Sequence, residues 1–308
     1  MGLSVIRPRR LGERRPSAAF ARQRSLSGFL LVLPSVLVVG GLFIAPLALT
    51  AWISLHDWPL LGDISFTGIA NYSEAATDTT FLGSLLFTTR YVVVSGAITF
   101  VLGFCLALLV RGDLPGTAFL RTAYFLPVAI GWAVASFLWL WLLNSQVGMA
   151  TDLLRATGVV GADFDWFGTA GHAFIALVAL SVWKSTGFAM ILFLMGMQSI
   201  PRDLYEAARV DGASGWQEVR HIMLPLLRPT LVLVSLFLVT SFYLGFDQFY
   251  ILTRGGPLNQ TASVVFWIYD MAFVRFKLGY GAALSLILLA LLIVLNGLQV
   301  RLRSNPAD

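Results

Sequence analysis

Long apolar stretches dominate this 308-residue chain and restrict it to a lipid environment. Hydrophobic residues make up 57% of the chain and charged residues 12%, too apolar a balance for a water-soluble protein of this length. One membrane-spanning helix needs about 20 mostly apolar residues. The hydropathy pattern predicts an all-α, polytopic membrane protein with about six transmembrane helices. The predicted spans are residues 28–55, 85–110, 122–143, 172–194, 230–253 and 278–300.

The basic residues predict the orientation of these spans. Seven arginines precede residue 25, and the apolar stretch after them is too long for the core of a cleaved signal peptide. Most other Lys and Arg residues fall in segments 111–121, 196–229 and 301–308, whereas the first loop on the opposite side has four acidic residues and no basic one. The positive-inside rule therefore places both termini in the cytoplasm.

This pattern also predicts the domain organisation. Residues 1–26 form a basic cytoplasmic leader, residues 27–303 form one transmembrane domain with a polar loop at about 196–229, and residues 304–308 form a cytoplasmic tail. The basic residues are explained by membrane topology, so we expect no nucleic-acid partner.

Residues for catalysis or metal binding are scarce. The chain has one cysteine, Cys105, in an apolar stretch, and neither His172 nor His221 has a second ligand at metal-binding spacing. No phosphate-binding G-x-x-x-x-G-K-[ST] sequence is present. We therefore expect no catalytic residue, metal or cofactor in this chain, and the interpretation as an intramembrane enzyme is disfavoured.

The polar loop 196–229 has strong local signals for two short helices. Pro201 suits the start of a helix, and Asp203 and Glu206 favour the positive end of its dipole, so the loop predicts a helix over residues 202–210.

A second helix should follow directly. Gly212 can adopt the left-handed conformation that ends the first helix, and Ser214 can cap a second one over residues 215–223. Pro225 and Pro229 are then expected to break this helix before the fifth span. The loop balances four arginines against four acidic residues, which argues against contact with nucleic-acid phosphates.

At this loop the sequence resembles a known family, the permease subunits of ATP-binding-cassette (ABC) importers. The residues that match the family's EAA loop are Glu206, Ala207, Ala208, Asp211, Gly212, Ala213, Leu224 and Pro225. The resemblance implies that these residues form a coupling helix pair on the cytoplasmic side of a bacterial cell membrane. This pair would dock on a dimer of ATPase subunits, and those subunits would bind ATP and magnesium. The alternative interpretation is an amphipathic interfacial helix that only returns the chain to the bilayer.

A second match lies beyond the fifth span. The segment around Gly255, Gly256 and Pro257 resembles the maltose- and glycerol-3-phosphate-type (carbohydrate uptake) permeases. That resemblance implies a second six-span permease subunit, an extracytoplasmic solute-binding protein, and a sugar, oligosaccharide or glycerol-phosphate-type substrate. The alternatives are another class of small solute or a secondary transporter, although no inverted repeat is apparent.

Candidate residues for the substrate path lie near the outer end of the fifth span. Asp247 and Gln248 offer hydrogen-bond acceptors beside the rings of Phe246 and Tyr250, a combination typical of sugar sites.

Two of the candidate charges have a structural alternative. Asp247 could instead form an ion pair with Arg90 or Arg254. Lys184, inside the fourth span, could contact an anionic substrate or close a salt bridge, and we favour the salt bridge because an isolated ammonium is costly in a membrane.

Overall fold

The computed structural model describes residues 31–59, 62–112 and 115–303. The predicted leader, residues 1–26, and the predicted tail, residues 304–308, lie outside the described residues. The described elements are α1 (Leu31–Ile53), β1 (His56–Asp57), β2 (Ser65–Phe66), α2 (Ala70–Thr77), α3 (Thr79–Val110), α4 (Thr117–Ala129), α5 (Trp132–Leu142), α6 (Met149–Ala156), α7 (Ala170–Gln198), α8 (Arg202–Val210), α9 (Gly215–Leu226), α10 (Arg228–Tyr243), α11 (Val264–Val274) and α12 (Leu278–Arg303).

The chain divides after Trp52 into two units, the first of which contains almost all of α1. Helix α1 is apolar along its whole described length, as the prediction for residues 28–55 requires, and contains a π-helical turn at Gly40–Ile44.

The second unit is organised around the two longest helices, α3 and α7, which pack along each other. Gly103 of α3 lies against Ala189 of α7, where a Cβ atom would come within 2.8 Å of the alanine methyl group. The ring of Phe193 meets Phe100 and Phe104 edge to face, with centroids 5.0 and 5.5 Å apart. These contacts bury the middle of both helices, while α4 and α10 pack against them and α12 packs against α10.

The third predicted span, residues 122–143, is not one straight helix. It consists of α4 and α5, which meet at an angle of 98°. Ile130 and Gly131 at the junction have extended backbone conformations, and Pro127 in the last turn of α4 has no N–H group to donate. A uniformly apolar stretch conceals such a break because hydropathy does not report backbone direction.

The fifth predicted span, residues 230–253, also differs from a single helix. Helix α10 ends at Tyr243, and the chain continues through a short connection into a π-helical turn at Phe249–Thr253. On its other side α10 meets α9 at 70°. Among the described residues there are four helices long and apolar enough to cross a membrane, or six spans if each bent pair counts as one.

One side chain that the sequence did not single out joins three helices at the end of the unit opposite to α8 and α9. The Asp78 carboxylate caps α3 by accepting hydrogen bonds from the Thr80 and Phe81 amides, at 2.8 and 3.1 Å. It also accepts from Trp267 Nε1 of α11 at 3.2 Å and from the Tyr280 hydroxyl of α12 at 2.8 Å. Burial alone would raise the pKa of Asp78, but these donors lower it below its ordinary value.

The crossing of α4 and α7 generates the first prediction. A Cβ atom on Gly187 would overlap the carbonyl oxygen of Tyr124, so only glycine fits at this point of α7. We expect Gly187→Ala to destabilise the protein by about 1–3 kcal/mol, the usual effect of overpacking. The measurement is the thermal unfolding midpoint of purified protein in detergent.

Gly96→Ala is the matched control, since Gly96 also lies inside a long helix but no other side chain or packed helix comes within 4 Å of the place that an alanine Cβ atom would take there. An unfolding midpoint that falls equally in both variants would show that the effect is not caused by the α4–α7 contact.

Candidate functional site

The polar loop folds into the two helices that the sequence predicts. Helix α8 has the predicted bounds, Arg202–Val210, and ends where Gly212 adopts a left-handed conformation with φ of 80°. The Ala213 amide donates to the Ala208 carbonyl oxygen at 2.9 Å and closes the end of the helix. The EAA-type residues Glu206 and Ala207 are exposed on α8.

Helix α9 begins at the predicted cap but ends later than predicted. The Ser214 amide donates to Gln217 Oε1 at 2.7 Å, and the Gln217 amide donates to Ser214 Oγ at 3.4 Å. The predicted break before the fifth span is present and falls at Leu227, between Pro225 and Pro229, but the helix continues to Leu226, so Leu224 and Pro225 lie in its last turn. A π-helical turn at Glu218–Met223 precedes Pro225, and the chain bends only after Leu226.

An ion pair joins the two helices. Arg209 Nε donates to Glu218 Oε1 at 2.8 Å, and the Glu218 side chain is only 4% exposed whereas that of Arg209 is 63% exposed. The hydrogen bond from Arg209 lowers the pKa of Glu218 below its ordinary value, against the opposing effect of burial. Within the described part of the chain, Glu206 and Asp211 have no such partner, so their carboxylates are available to another molecule.

Large apolar side chains are exposed on the same helix pair. Leu204 is 43% exposed, Val210 88% and Trp216 69%. Apolar groups of this size on otherwise polar helices are typical of an interaction surface. The charges and turn residues that predict the two helices do not indicate which apolar side chains remain exposed on them.

At the far end of α10 an aromatic cluster forms around two of the predicted substrate-path residues. The rings of Phe246 and Tyr250 are stacked, with centroids 5.2 Å apart. Tyr269 of α11 lies 5.1 Å from Phe246 and 5.6 Å from Tyr250, and Phe273 lies 5.6 Å from Tyr269. Tyr269 and Phe273 were missed, since nothing in the sequence indicates that α11 folds back against the segment after α10.

The two polar neighbours of this cluster have different environments. Asp247 is half-buried and has no hydrogen bond or ion pair with any described residue, so neither Arg90 nor Arg254 pairs with it. Gln248 is 2% exposed, and its Nε2 donates to the Tyr91 hydroxyl at 3.3 Å within the core. Gln248 therefore lies apart from the aromatic cluster.

Arg90 lies elsewhere, on α3. It lines a cavity of about 560 Å³ with Phe87, Phe174, Asn259 and Gln260.

Lys184 does not form, with any described residue, the salt bridge that was expected of it. The prediction of a salt bridge is wrong, because its ammonium donates to backbone carbonyl oxygens at the break between α4 and α5: Pro127 at 3.0 Å, Val128 at 3.4 Å and Ile130. The ring of Trp132 lies 5.2 Å from the same nitrogen. The Pro127 carbonyl oxygen also accepts a hydrogen bond from the Ile130 amide at 3.3 Å, whereas the break leaves those of Val128 and Ile130 without a backbone donor among the described residues. The cation supplies donors to them at the negative end of the α4 dipole.

The described residues contain no group of three or more His, Cys, Asp or Glu side chains that could hold a metal ion.

Comparison with known proteins shows the family. A model of the binding-protein-dependent transport system inner membrane component matches residues 99–305. The trehalose/maltose transport system permease protein MalF of Thermococcus litoralis is 35% identical over 271 residues, which cover 87% of this chain and 90% of that protein. The sn-glycerol-3-phosphate transport system permease protein UgpA of Agrobacterium fabrum is 33% identical over 277 residues, 89% of this chain and 93% of that protein.

The fold comparison agrees. A chain in the crystal structure of a bacterial ABC transporter that imports the acidic polysaccharide alginate superposes with a TM-score of 0.82, at 18% identity, over 95% of this chain and all of that chain. The protein therefore belongs to the family of binding-protein-dependent transport system inner membrane components, and it is a multi-pass membrane protein.

The ion pair between α8 and α9 generates the second prediction. We expect Glu218→Gln to increase amide hydrogen exchange in α8 several-fold, because the neutral amide no longer attracts Arg209. In the unmodified protein the pair stabilises the helices fully above the ordinary glutamate pKa of about 4.3. Since the pKa of Glu218 is lowered in the folded state, this stabilisation is lost only as the pH falls through that lower value.

Glu206→Gln is the control, because it also removes one negative charge from the two helices but leaves the Arg209–Glu218 ion pair intact. Hydrogen exchange that responds equally to both substitutions would contradict a specific role for the Arg209–Glu218 contact.

Proposed function

We propose that this chain is a membrane-spanning permease subunit of an ATP-driven ABC importer. With a second six-span permease it forms the translocation path for a sugar, oligosaccharide or glycerol-phosphate-type solute. ATP and magnesium bind to a partner ATPase dimer, and an extracytoplasmic solute-binding protein delivers the substrate. The observation that carries this proposal is the exposed pair of helices α8 and α9 with its EAA-type residues, in a chain of the binding-protein-dependent transport family. The ion pair of Arg209 and Glu218 joins the two helices.

The helix pair has the properties of a docking site for the ATPase. Leu204, Val210 and Trp216 offer apolar contact area, and Glu206 offers an unpaired carboxylate for a basic group. Because Arg209 and Glu218 fix α8 to α9, the pair moves as one body when the ATPase subunits close. This supports coupling over the alternative of a helix that only returns the chain to the bilayer.

The connection to the proposed substrate path is short. The 70° bend after Leu226 joins the helix pair to α10, and α10 ends three residues before Phe246. A displacement of the pair is therefore passed through one helix to the aromatic cluster.

The orientation follows from the same arrangement. We place the helix pair and both termini on the cytoplasmic side, and the loop around Gly256 and Pro257 on the outer side, where the solute-binding protein docks. A structural relative is described as a bacterial alginate ABC transporter in complex with an alginate pentasaccharide-bound periplasmic protein.

The aromatic cluster supports the sugar class of substrate. Stacked rings with tyrosine hydroxyls and the nearby unpaired carboxylate of Asp247 can bind the apolar faces and hydroxyl groups of a sugar. The names of the relatives, trehalose/maltose and sn-glycerol-3-phosphate permeases, agree with this class.

Gly212 generates the third prediction. No atom lies within 4 Å of a Cβ position on Gly212, so any effect of Gly212→Ala comes from its left-handed backbone conformation, which is unfavourable for alanine by about 1–2 kcal/mol. We expect Gly212→Ala and Glu206→Ala each to lower solute uptake and co-purification of the ATPase, with membrane insertion unchanged.

Gly212→Asn is the matched control, because asparagine tolerates the left-handed conformation better than alanine does. It should retain more uptake than Gly212→Ala. Normal uptake and normal ATPase binding in both Gly212→Ala and Glu206→Ala would overturn the coupling assignment.

The aromatic cluster generates the fourth prediction. We expect Tyr250→Ala and Asp247→Ala to lower uptake of labelled sugar roughly tenfold, because a stacking surface or a hydroxyl acceptor is lost, while the amount of protein in the membrane falls much less. Uptake of maltose, trehalose and glycerol 3-phosphate is measured and divided by the amount of inserted protein.

Phe137→Ala is the control, since Phe137 is an exposed aromatic residue of α5, 61% exposed, outside the cluster. Uptake that falls only in proportion to the inserted protein would assign Asp247 and Tyr250 a structural role instead.

A further inference from the structure

A cleft of about 580 Å³ opens between the helix pair and the ends of the membrane helices. It lies beside the last residues of α3 and α7, the start of α4, and the inner surfaces of α8 and α9. Four guanidinium groups surround it: those of Arg111, Arg121, Arg202 and Arg209. This volume is within the range of small-molecule sites, about 300–1,000 Å³.

Basic side chains outnumber acidic ones in the cleft, although the loop 196–229 as a whole has equal numbers of both. Its two carboxylates belong to Glu206 and Glu218, and Glu218 is already paired with Arg209. Arg121 has a backbone partner, since its Nε donates to the Val110 carbonyl oxygen at 3.1 Å.

The other two arginines of the cleft make no direct polar contact with any described residue. Within the described part of the chain, Arg111 and Arg202 have no hydrogen bond and no ion pair, although Arg111 is near enough for its charge to contribute to the lowered pKa of Glu218. Glu206 is the only other carboxylate among the described lining residues, so the guanidinium groups outnumber the carboxylates. The excess positive charge makes the cleft a site for an anion.

The position of the cleft indicates which anion. The apolar helices α3 and α7 end beside it, at Val110 and Gln198, so it lies where the hydrocarbon region gives way to water. The buried apolar side chains of Met197, Ile200 and Met223 also line it. Guanidinium groups beside apolar side chains at this depth match a phosphate joined to a glycerol and acyl chains better than they match a soluble anion.

We propose that this cleft binds the headgroup phosphate of an anionic phospholipid, with Arg111 and Arg202 as its main contacts. The bound lipid ties the helix pair to the ends of α3 and α4. The inference rests on the proposed function only in assigning the cleft to the cytoplasmic leaflet; binding itself does not depend on transport.

The experiment is a native mass spectrometry titration of the full chain in neutral detergent with short-chain phosphatidylglycerol. Phosphatidylcholine and inorganic phosphate are titrated in parallel. We expect one phosphatidylglycerol to bind preferentially, and its affinity to fall about tenfold in Arg111→Gln and in Arg202→Gln, each of which removes a charge-assisted hydrogen bond.

Arg228→Gln is the matched control, because Arg228 starts α10 at a membrane-helix end but does not line the cleft. It should bind phosphatidylglycerol like the unmodified protein. Equal affinity for phosphatidylcholine, or equal loss in Arg228→Gln, would overturn the proposal.

Two further outcomes would also overturn it. If inorganic phosphate competes fully at the affinity of the lipid, the cleft is a site for a soluble anion. If Arg111→Gln and Arg202→Gln bind phosphatidylglycerol as tightly as the unmodified protein does, these arginines do not hold the lipid phosphate. Because the titration uses the isolated chain, failure of the transport function would appear in the uptake assays and not here.

Discussion

A lipid environment offers no hydrogen-bond partner to an interrupted helix, and this constraint governs how the chain can bend. At the junction of α4 and α5 the main chain turns by 98° and leaves the carbonyl oxygens of Val128 and Ile130 without a backbone donor in the described part of the chain. Lys184, 5% exposed on α7, supplies the donors. The bend places α5 against the π-helical turn Phe249–Thr253, which follows Phe246. The segment that carries the aromatic cluster is therefore supported by a helix whose direction depends on one buried ammonium.

The sequence was informative where local chemistry decides the structure. Helix α8 has its predicted bounds because Pro201, Asp203 and Gly212 determine the backbone conformation only of residues close to them in the sequence. The number of apolar stretches could also be predicted, because each stretch is long enough to be detected from its own hydropathy.

Contacts between distant residues could not be predicted in this way. The partners of Lys184 lie 54 to 57 residues away, and they are acceptors only because the helix breaks there. Asp78 meets Trp267 and Tyr280 across 189 and 202 residues, and no local pattern distinguishes it from an ordinary helix cap. The same holds for Gln248, whose sequence neighbours belong to the aromatic cluster while its own side chain turns into the core.

The polar contacts of α10 limit how a motion of the helix pair can reach the proposed substrate path. At the C-terminal end of α10, the Tyr243 hydroxyl lies 2.9 Å from the Thr89 hydroxyl of α3. Further along, Asn296 Nδ2 of α12 donates to Thr240 Oγ1 at 3.2 Å. Hydrogen bonds between membrane helices resist sliding, because a broken one finds no water to replace it.

A force applied to α8 and α9 therefore moves α10 together with α3 and α12, and α7 follows because it is packed along α3. Under the proposed function, the second unit of this chain rotates as one body against its partner permease. Alternating access then comes from the interface between the two permeases, and the aromatic cluster is exposed to one side or the other without a change in its own geometry.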